Sequence, residues 1–163
     1  MPYSTNPNTT VYNPSQPLPQ HLEHKPIYAF PYEHFDGIYV GNTDAKYISV
    51  GIAQYDSNHV SIKTMRYNGQ WSRQAEELPL HRVIDMSLFL AKVIFDTTNG
   101  GVSLSKRTFL NQTSSDINVR QEQCGSDEIA TYNAFLNQNR QLLQDRLNAL
   151  RDVLNDLKNQ GKI

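Results

Sequence analysis

The chain has 163 residues, of which 38% are hydrophobic and 19% charged, and its formal net charge is −1. This length suits one domain, or one domain with an appendage, that can bury a hydrophobic core. A net charge so close to zero excludes the strongly basic surface of a general nucleic-acid-binding protein, although it leaves room for a local basic face.

The single cysteine, Cys124, can form neither an internal disulfide nor a cysteine-ligated metal site. One cysteine in a chain of this size favours a reducing compartment. His21, Glu23 and His24 have metal-binding side chains, but their spacing matches no metalloenzyme motif. No apolar run approaches the roughly 20 residues of a membrane-spanning helix, and no signal peptide is visible. We expect a cytoplasmic protein with no membrane partner, no metal and no cofactor.

The N-terminal region is unusual in composition, since residues 1–20 contain five of the eight prolines and no charged side chain. Such a segment buries too little apolar surface to offset the entropy of ordering, so we predict a disordered tail. Residues 21–46 are predicted to form a loop that wraps the domain and is anchored by aromatic side chains. The alternative is a short edge strand over 27–30, where Pro26 and Pro31 limit the backbone donors.

Alternating residue types predict two adjacent antiparallel strands over 47–55 and 59–67. Asn68-Gly69 is a strong hairpin signal and predicts a third strand over 70–74. One face of this sheet is rich in Ile and Val and is expected to be covered. The other face carries tyrosines, a histidine and a lysine, and the sequence leaves open whether it is exposed or covered.

Pro79 suits the first position of a helix, and apolar residues at helical spacing continue that helix to about residue 96. Since apolar residues surround it after Met86, we predict that this helix is buried against the sheet. Two weaker strands are predicted over 102–110 and 116–123. The order β-β-β-α-β-β-α, completed by a long C-terminal helix, predicts an α+β fold with an antiparallel sheet.

The C-terminal helix is predicted over 127–157, and its leucines recur at spacings of three and four residues, broken only by Arg140. Such a seam favours pairing with another helix, so we expect a homodimer. Packing of the seam on the protein's own sheet is the alternative. The predicted organisation is a tail over 1–20, an α+β domain over 21–126 and a helix over 127–158. The seam leucines are Leu136, Leu143, Leu147, Leu150, Leu154 and Leu157.

Residues 71–82, at the junction between a predicted strand and a predicted helix, contain the highest density of charged and aromatic side chains that could form a site. Arginines, glutamates and a histidine accompany the only tryptophan. Such a group can clamp a phosphate or carboxylate, use a glutamate as an acid, base or orienting group, and add the positive potential of a helix N-terminus. Salt bridges that only hold the strand to the helix are the alternative. The candidate ligand-binding residues are Trp71, Arg73, Glu76, Glu77, His81 and Arg82.

The tyrosine-bearing sheet face is a second candidate surface. Its aromatic rings could stack unpaired bases, as proteins that bind single strands do, while coverage by another element is the alternative. The candidate nucleic-acid-binding residues are Tyr47, Tyr55, His59, Lys63 and Tyr67.

No Ser-His-Asp or Cys-His order is recognisable in the sequence. A non-enzymatic binding protein is therefore favoured over an enzyme, with single-stranded nucleic acid as the first ligand class. The alternative is a small phosphorylated ligand, or an enzyme active site, at residues 71–82.

Several segments resemble a bacterial protein family without an assigned function. They are Asn-Thr-Asp-Ala-Lys at 42–46, Ser-Val-Gly-Ile-Ala-Gln at 49–54, Trp-Ser-Arg-Gln at 71–74 and Glu-Glu-Leu-Pro-Leu-His-Arg at 76–82. This resemblance covers roughly residues 20–95 and implies no activity.

Curved strands followed by a helix, with Arg66-Tyr67 closing the second strand, also resemble the single-stranded-DNA-binding transcriptional coactivator and Whirly fold group. That resemblance implies a sheet face that grips single strands and dimerisation through helices. Where the coactivators have a basic segment before the helix, this chain has Glu76-Glu77.

Overall fold

The computed structural model describes residues 12–109, 111–112 and 114–163. Residues 1–11, which make up the first part of the predicted tail, lie outside the described residues. The described chain is α+β, as predicted, and it divides into two compact units, Met1–Ile84 and Asp85–Ile163. The domain boundaries predicted from the sequence stay predictions.

The first unit is built on a four-stranded antiparallel sheet whose strand order follows the chain. Residues 21–46 supply its edge strand, so the strand alternative predicted there is confirmed, and two short 3-10 turns follow at Tyr32–His34 and Gly37–Tyr39. The strands are β1 (Lys25–Pro31), β2 (Ala45–Ile52), β3 (Val60–Arg66) and β4 (Glu77–Pro79).

The third strand lies later in the chain than predicted. The turn at Asn68-Gly69 forms and is closed by a bridge between Tyr67 and Trp71, but residues 73–75 leave the sheet before β4 pairs with β3. The predicted strand over 70–74 is therefore wrong. The backbone carbonyls of Arg73 and Ala75 bond instead to the Lys63 side chain of β3, as described below.

The two faces of the sheet are buried in the reverse of the predicted sense. Cross-strand partners share a face, and the pairs Tyr47–Met65 and Ser49–Lys63 lie on the buried one. Ile48, Val50 and Ile62, on the Ile/Val-rich face that was predicted to be covered, are only half-buried. Period-2 alternation identifies two faces, but it does not decide which one is covered when both carry apolar side chains.

The buried face is covered by a segment before β1, which we call the N-terminal strap (residues 16–24). Leu22 of the strap forms a small core with Tyr47 and Met65, and Leu18 packs against it. The Tyr47 hydroxyl donates a hydrogen bond of 2.6 Å to the Gln16 carbonyl.

The described part of the predicted tail, residues 12–20, includes Leu18, which packs against the core. The disorder predicted for the tail stays a prediction. The prolines of the segment also reduce the entropy that the chain loses on ordering.

Helix α1 (Leu80–Asp96) confirms the predicted helix, and the division between the two units falls within it. Within the described chain no residue of α1 is buried, and Ile84 and Met86 are largely exposed. The prediction that α1 is buried against the sheet stays a prediction. The strap closes the best-buried face of the sheet.

The second unit contains a separate two-stranded antiparallel sheet and the long C-terminal helix. Strands β5 (Gly101–Leu104) and β6 (Ile117–Arg120) confirm the two weaker strands, although both are shorter than predicted. Helix α2 (Ser126–Asn159) follows. Its N-cap is Gly125, whose backbone N–H donates a hydrogen bond of 2.8 Å to the Glu128 carboxylate.

Candidate functional site

Two adjacent glutamates divide the predicted site at 71–82 into a buried part and an exposed part. Successive residues of an extended chain point to opposite faces of a sheet. The Glu77 side chain is accordingly 3% exposed, whereas that of Glu76 is 55% exposed. The two carboxylates therefore belong to different environments.

Glu77 is the centre of a buried polar cluster that also includes His24, Ser49, Ser61 and Lys63. Its Oε1 atom accepts hydrogen bonds from the Ser61 hydroxyl at 2.6 Å and the Gln54 backbone N–H at 2.9 Å. His24 Nδ1 lies 3.1 Å from the same oxygen. These contacts connect the strap, β3, β4 and the residues just after β2.

Lys63 carries the positive charge of the buried polar cluster, and its side chain is 0% exposed. Its Nζ atom lies 3.5 Å from Glu77 Oε2 and 3.4 Å from Gln54 Oε1. It also donates to the backbone carbonyls of Arg73 and Ala75, at 3.4 and 3.2 Å. These two bonds take the place of strand pairing in residues 73–75 and fix the path of that loop.

The Glu77 carboxyl is held in its charged form. Burial raises its pKa, but hydrogen bonds from Ser61, Gln54 and His24, together with the charge of Lys63, outweigh burial and lower the pKa below its usual value. The buried negative charge of Glu77 thus faces the buried positive charge of Lys63. Their hydrogen bonds to neighbouring groups offset part of the free-energy cost of removing both charges from water.

Ser49, His24 and Glu77 stand in the hydroxyl–imidazole–carboxylate order of nucleophilic triads, with 3.0 Å between Ser49 Oγ and His24 Nε2. Both Ser49 and His24 are 0% exposed, so no substrate reaches the hydroxyl in this conformation. The arrangement therefore anchors the strap to the sheet. The arrangement could not be predicted from the sequence because His24 comes from outside the strands, although alternation does place Ser49 and Ser61 on the face of Lys63.

On the exposed side lies a cavity of about 520 Å³, which we call the Trp71 cavity. Trp71 forms one of its walls, and its ring packs edge-on against Tyr67, with 5.2 Å between ring centroids. The lining residues are Asp44, Arg66, Asn68, Gln70, Trp71, Ser72, Arg73 and Gln74.

The two arginines of the Trp71 cavity differ in their partners. Arg66 donates two hydrogen bonds to Glu76, at 2.9 and 2.7 Å, and is also paired with Asp44. The hydrogen bonds to Glu76 come first among the causes that raise the pKa of Arg66, and those from Arg66 lower the pKa of Glu76. Among the described residues, no carboxylate pairs with the exposed guanidinium of Arg73.

A second cavity of about 720 Å³, the Asn42 cavity, adjoins the first and shares Asp44, Arg66 and Asn68 with it. Its wall includes the turn at 36–43, which a hydrogen bond of 2.5 Å from Thr43 Oγ1 to Asp36 Oδ2 closes. The other lining residues are Asp36, Tyr39, Gly41, Asn42, Thr43 and Tyr67.

The structure brings together only part of the predicted ligand site. Trp71 and Arg73 line one cavity, and Glu76 holds Arg66 at its edge. Glu77 lies in the buried polar cluster instead. His81 and Arg82 are exposed on the first turn of α1 and line neither cavity.

The residues predicted to bind nucleic acid do not form one exposed surface. Tyr47 and Lys63 are buried under the strap, at 6% and 1% exposure. Tyr55 and His59 are exposed where β2 turns into β3, with 6.2 Å between their ring centroids. Tyr67 is half-buried and lines the Asn42 cavity.

Across the described residues there is no group of three or more His, Cys, Asp or Glu side chains placed to hold a metal ion. The helices formed by those residues also include none with the length and apolar character needed to cross a membrane. Cys124 is a free, exposed thiol.

Comparison with known protein families gives a match. The model of a family of unknown function, DUF6530, matches residues 17–159. The uncharacterised family predicted from the sequence is thus confirmed, over a longer stretch than the predicted 20–95. No curated protein and no solved structure matches the chain. The resemblance to the Whirly group stays a prediction.

Proposed function

We infer that this chain, which belongs to the DUF6530 family of unknown function, is a binding protein for a small anionic, phosphorylated ligand in the Trp71 cavity. One observation carries this proposal. The exposed guanidinium of Arg73 has no acidic partner among the described residues and lies in the same cavity as the only tryptophan.

Arg73 is suited to the anionic group of the ligand. A guanidinium presents two parallel N–H donors to a phosphate or carboxylate, and its charge is not already neutralised here. Arg66, in contrast, is balanced by Asp44 and Glu76, so it shapes the cavity more than it attracts an anion.

The rest of the cavity suits the uncharged part of the same ligand. Trp71 offers an aromatic surface for a base or sugar ring, while Asn68, Gln70 and Gln74 offer side-chain amides. A volume of about 520 Å³ lies within the usual range of small-molecule sites.

Single-stranded nucleic acid, the first ligand class expected from the sequence, has less support. The sheet face that was to stack the bases is covered by the strap, and the net charge of −1 gives no general attraction to a polyanion. A binding role is also favoured over an enzymatic one, since the triad-like arrangement of Ser49, His24 and Glu77 is closed to substrates.

Titration of the intrinsic fluorescence of Trp71 tests the proposal. Inorganic phosphate, pyrophosphate, ribose 5-phosphate and adenosine monophosphate should be compared with a single-stranded oligothymidine at two salt concentrations. We expect a saturable response to at least one of the small phosphates. A response to the oligonucleotide alone, weakening steeply with salt, would replace this proposal with nucleic-acid binding. No response to any of them would refute both.

We also propose that the protein forms a homodimer through α2 and works in the cytoplasm. A helix of 34 residues is about 51 Å long, and none of its residues is buried within the described chain. Leu150, Val153 and Leu154 are 43, 55 and 44% exposed. A leucine seam that is this exposed to solvent in the single chain favours a second helix as its partner. The free thiol of Cys124 supports the reducing compartment.

A further inference from the structure

We propose that the N-terminal strap regulates the Trp71 cavity: docking of residues 16–24 on the sheet and binding of ligand in the cavity are coupled, so each strengthens the other. This proposal rests on the proposed function for its ligand. The coupling of strap and cavity wall is a property of the protein itself and can be measured without any ligand.

The first link between strap and cavity is apolar. Leu18 and Leu22 of the strap pack in one small core with Tyr47 and Met65, and Trp71 packs against the same core. The Tyr47 and Trp71 rings lie 6.3 Å apart, measured between centroids. The tryptophan that forms a wall of the cavity is therefore held on its inner side by residues that the strap covers.

The second link is polar and runs through the buried polar cluster. His24, at the end of the strap, contacts Glu77, which faces Lys63 at 3.5 Å. Lys63 in turn donates to the carbonyls of Arg73 and Ala75 in the cavity loop. If His24 leaves, Glu77 loses one of its partners, and the position of the Lys63 ammonium under the loop changes with it.

The strap is the part of the first unit best suited to such a transition. Its described residues contain no helix or strand, and side-chain packing with a few hydrogen bonds holds them in place. Segments with few backbone hydrogen bonds open at a lower free-energy cost than paired strands do. A docked strap supports Trp71 and the loop, whereas a released strap leaves both without their inner contacts. By thermodynamic linkage, a ligand that prefers the supported cavity also favours the docked strap.

Hydrogen–deuterium exchange of the full-length chain tests the coupling. Leu18→Ala weakens the strap at a half-buried position, and Tyr47→Phe removes only the hydroxyl that bonds Gln16. Both substitutions should speed exchange in residues 16–24 and also in the loop at 70–76. We expect an increase of about fivefold or more, which is the lower end of the usual range of allosteric coupling factors. Ile62→Ala, on the opposite face of β3, is the matched control and should leave the ratio between loop and sheet exchange unchanged.

A second arm adds pyrophosphate to the wild-type protein, with Trp71 fluorescence as the measure of binding. Bound pyrophosphate should slow exchange in residues 16–24 by a similar factor. Pyrophosphate binding without that slowing would overturn the coupling. In the ligand-free comparison, the coupling would also be overturned if Leu18→Ala and Tyr47→Phe sped exchange in the strap but not in the loop. The same holds if Ile62→Ala sped exchange in the loop as much as they do. If no probe binds, the proposed function fails, while the ligand-free comparison still decides the coupling.

Discussion

Nδ1 of His24 lies 3.1 Å from Oε1 of Glu77, although 53 residues separate them in the chain. This contact joins the strap to β4, and neither partner is open to water. It belongs to a buried polar cluster in which every described side-chain N and O atom that is fully buried has a hydrogen-bond partner. Such a cluster specifies one position for the strap, because any shift would leave buried polar groups without partners.

The adjacent glutamates provide a matched test of this cluster. Glu77→Gln should lower the free energy of unfolding by about 2–4 kcal/mol, because it leaves the buried charge of Lys63 without its counter-ion. Glu76→Gln, which affects a half-exposed pair with Arg66, should cost less than about 1 kcal/mol. Urea denaturation followed by Trp71 fluorescence measures both. Equal losses would contradict the assignment of the two carboxylates to different environments.

Substitutions of Arg73 and Arg82 distinguish binding in the Trp71 cavity from binding at the strand–helix junction that was predicted from the sequence. Arg73→Ala should weaken binding of a small phosphate tenfold or more, about 1.4 kcal/mol, with little change in melting temperature. Arg82→Ala, which removes another exposed arginine that lies outside both cavities, should leave the affinity unchanged. Isothermal titration calorimetry measures the affinities. An effect of Arg82→Ala as large as that of Arg73→Ala would argue for the strand–helix junction instead.

Glu33 should make the protein less stable in acid. Burial raises the pKa of its carboxyl, but hydrogen bonds from Lys46 and Ser15 outweigh burial and bring the pKa down from 4.5 to about 2. A depressed pKa contributes stability that is fully present above pH 4.5 and is lost as the pH falls towards 2.

Glu33→Gln should therefore lower stability at pH 7 and flatten the loss of stability between pH 5 and pH 2, leaving the loss that is due to Glu76 and Glu77. Thermal melts across that interval measure the slope. Glu23→Gln, at an exposed position in the same unit, is the control and should keep the wild-type slope. An unchanged slope in Glu33→Gln would show that Lys46 and Ser15 do not hold the carboxylate in solution.

The leucine seam of α2 predicts a specific effect on assembly. Changing Leu150 and Leu154 together to Lys should dissociate the dimer without unfolding the chain, because both side chains are more than 40% exposed in the single chain. Asn148→Lys with Asn155→Lys adds the same charge on another exposed face of α2 and should keep the dimer. Analytical ultracentrifugation decides between these outcomes. A wild-type chain that is monomeric at high micromolar concentration would remove the proposal.

The sequence by itself determined the local structure of this protein. Period-2 alternation places β2 and β3, Asn68-Gly69 places the turn after them, and helical spacing places α1 and α2 to within a few residues. These patterns depend on backbone geometry and neighbouring residues, which is why they can be read from the chain alone.

Only the tertiary structure decided which surfaces are available. A proline-rich segment with two leucines covers the sheet face that was predicted to bind nucleic acid, and Lys63 of β3 binds the carbonyls of Arg73 and Ala75, where the third strand was predicted to end. His24, Ser49 and Glu77 come together from distant parts of the chain. Such contacts form where the hydrogen bonds and ion pairs between distant residues offset the cost of burying their polar groups. That balance cannot be predicted from the residues that are neighbours in the sequence.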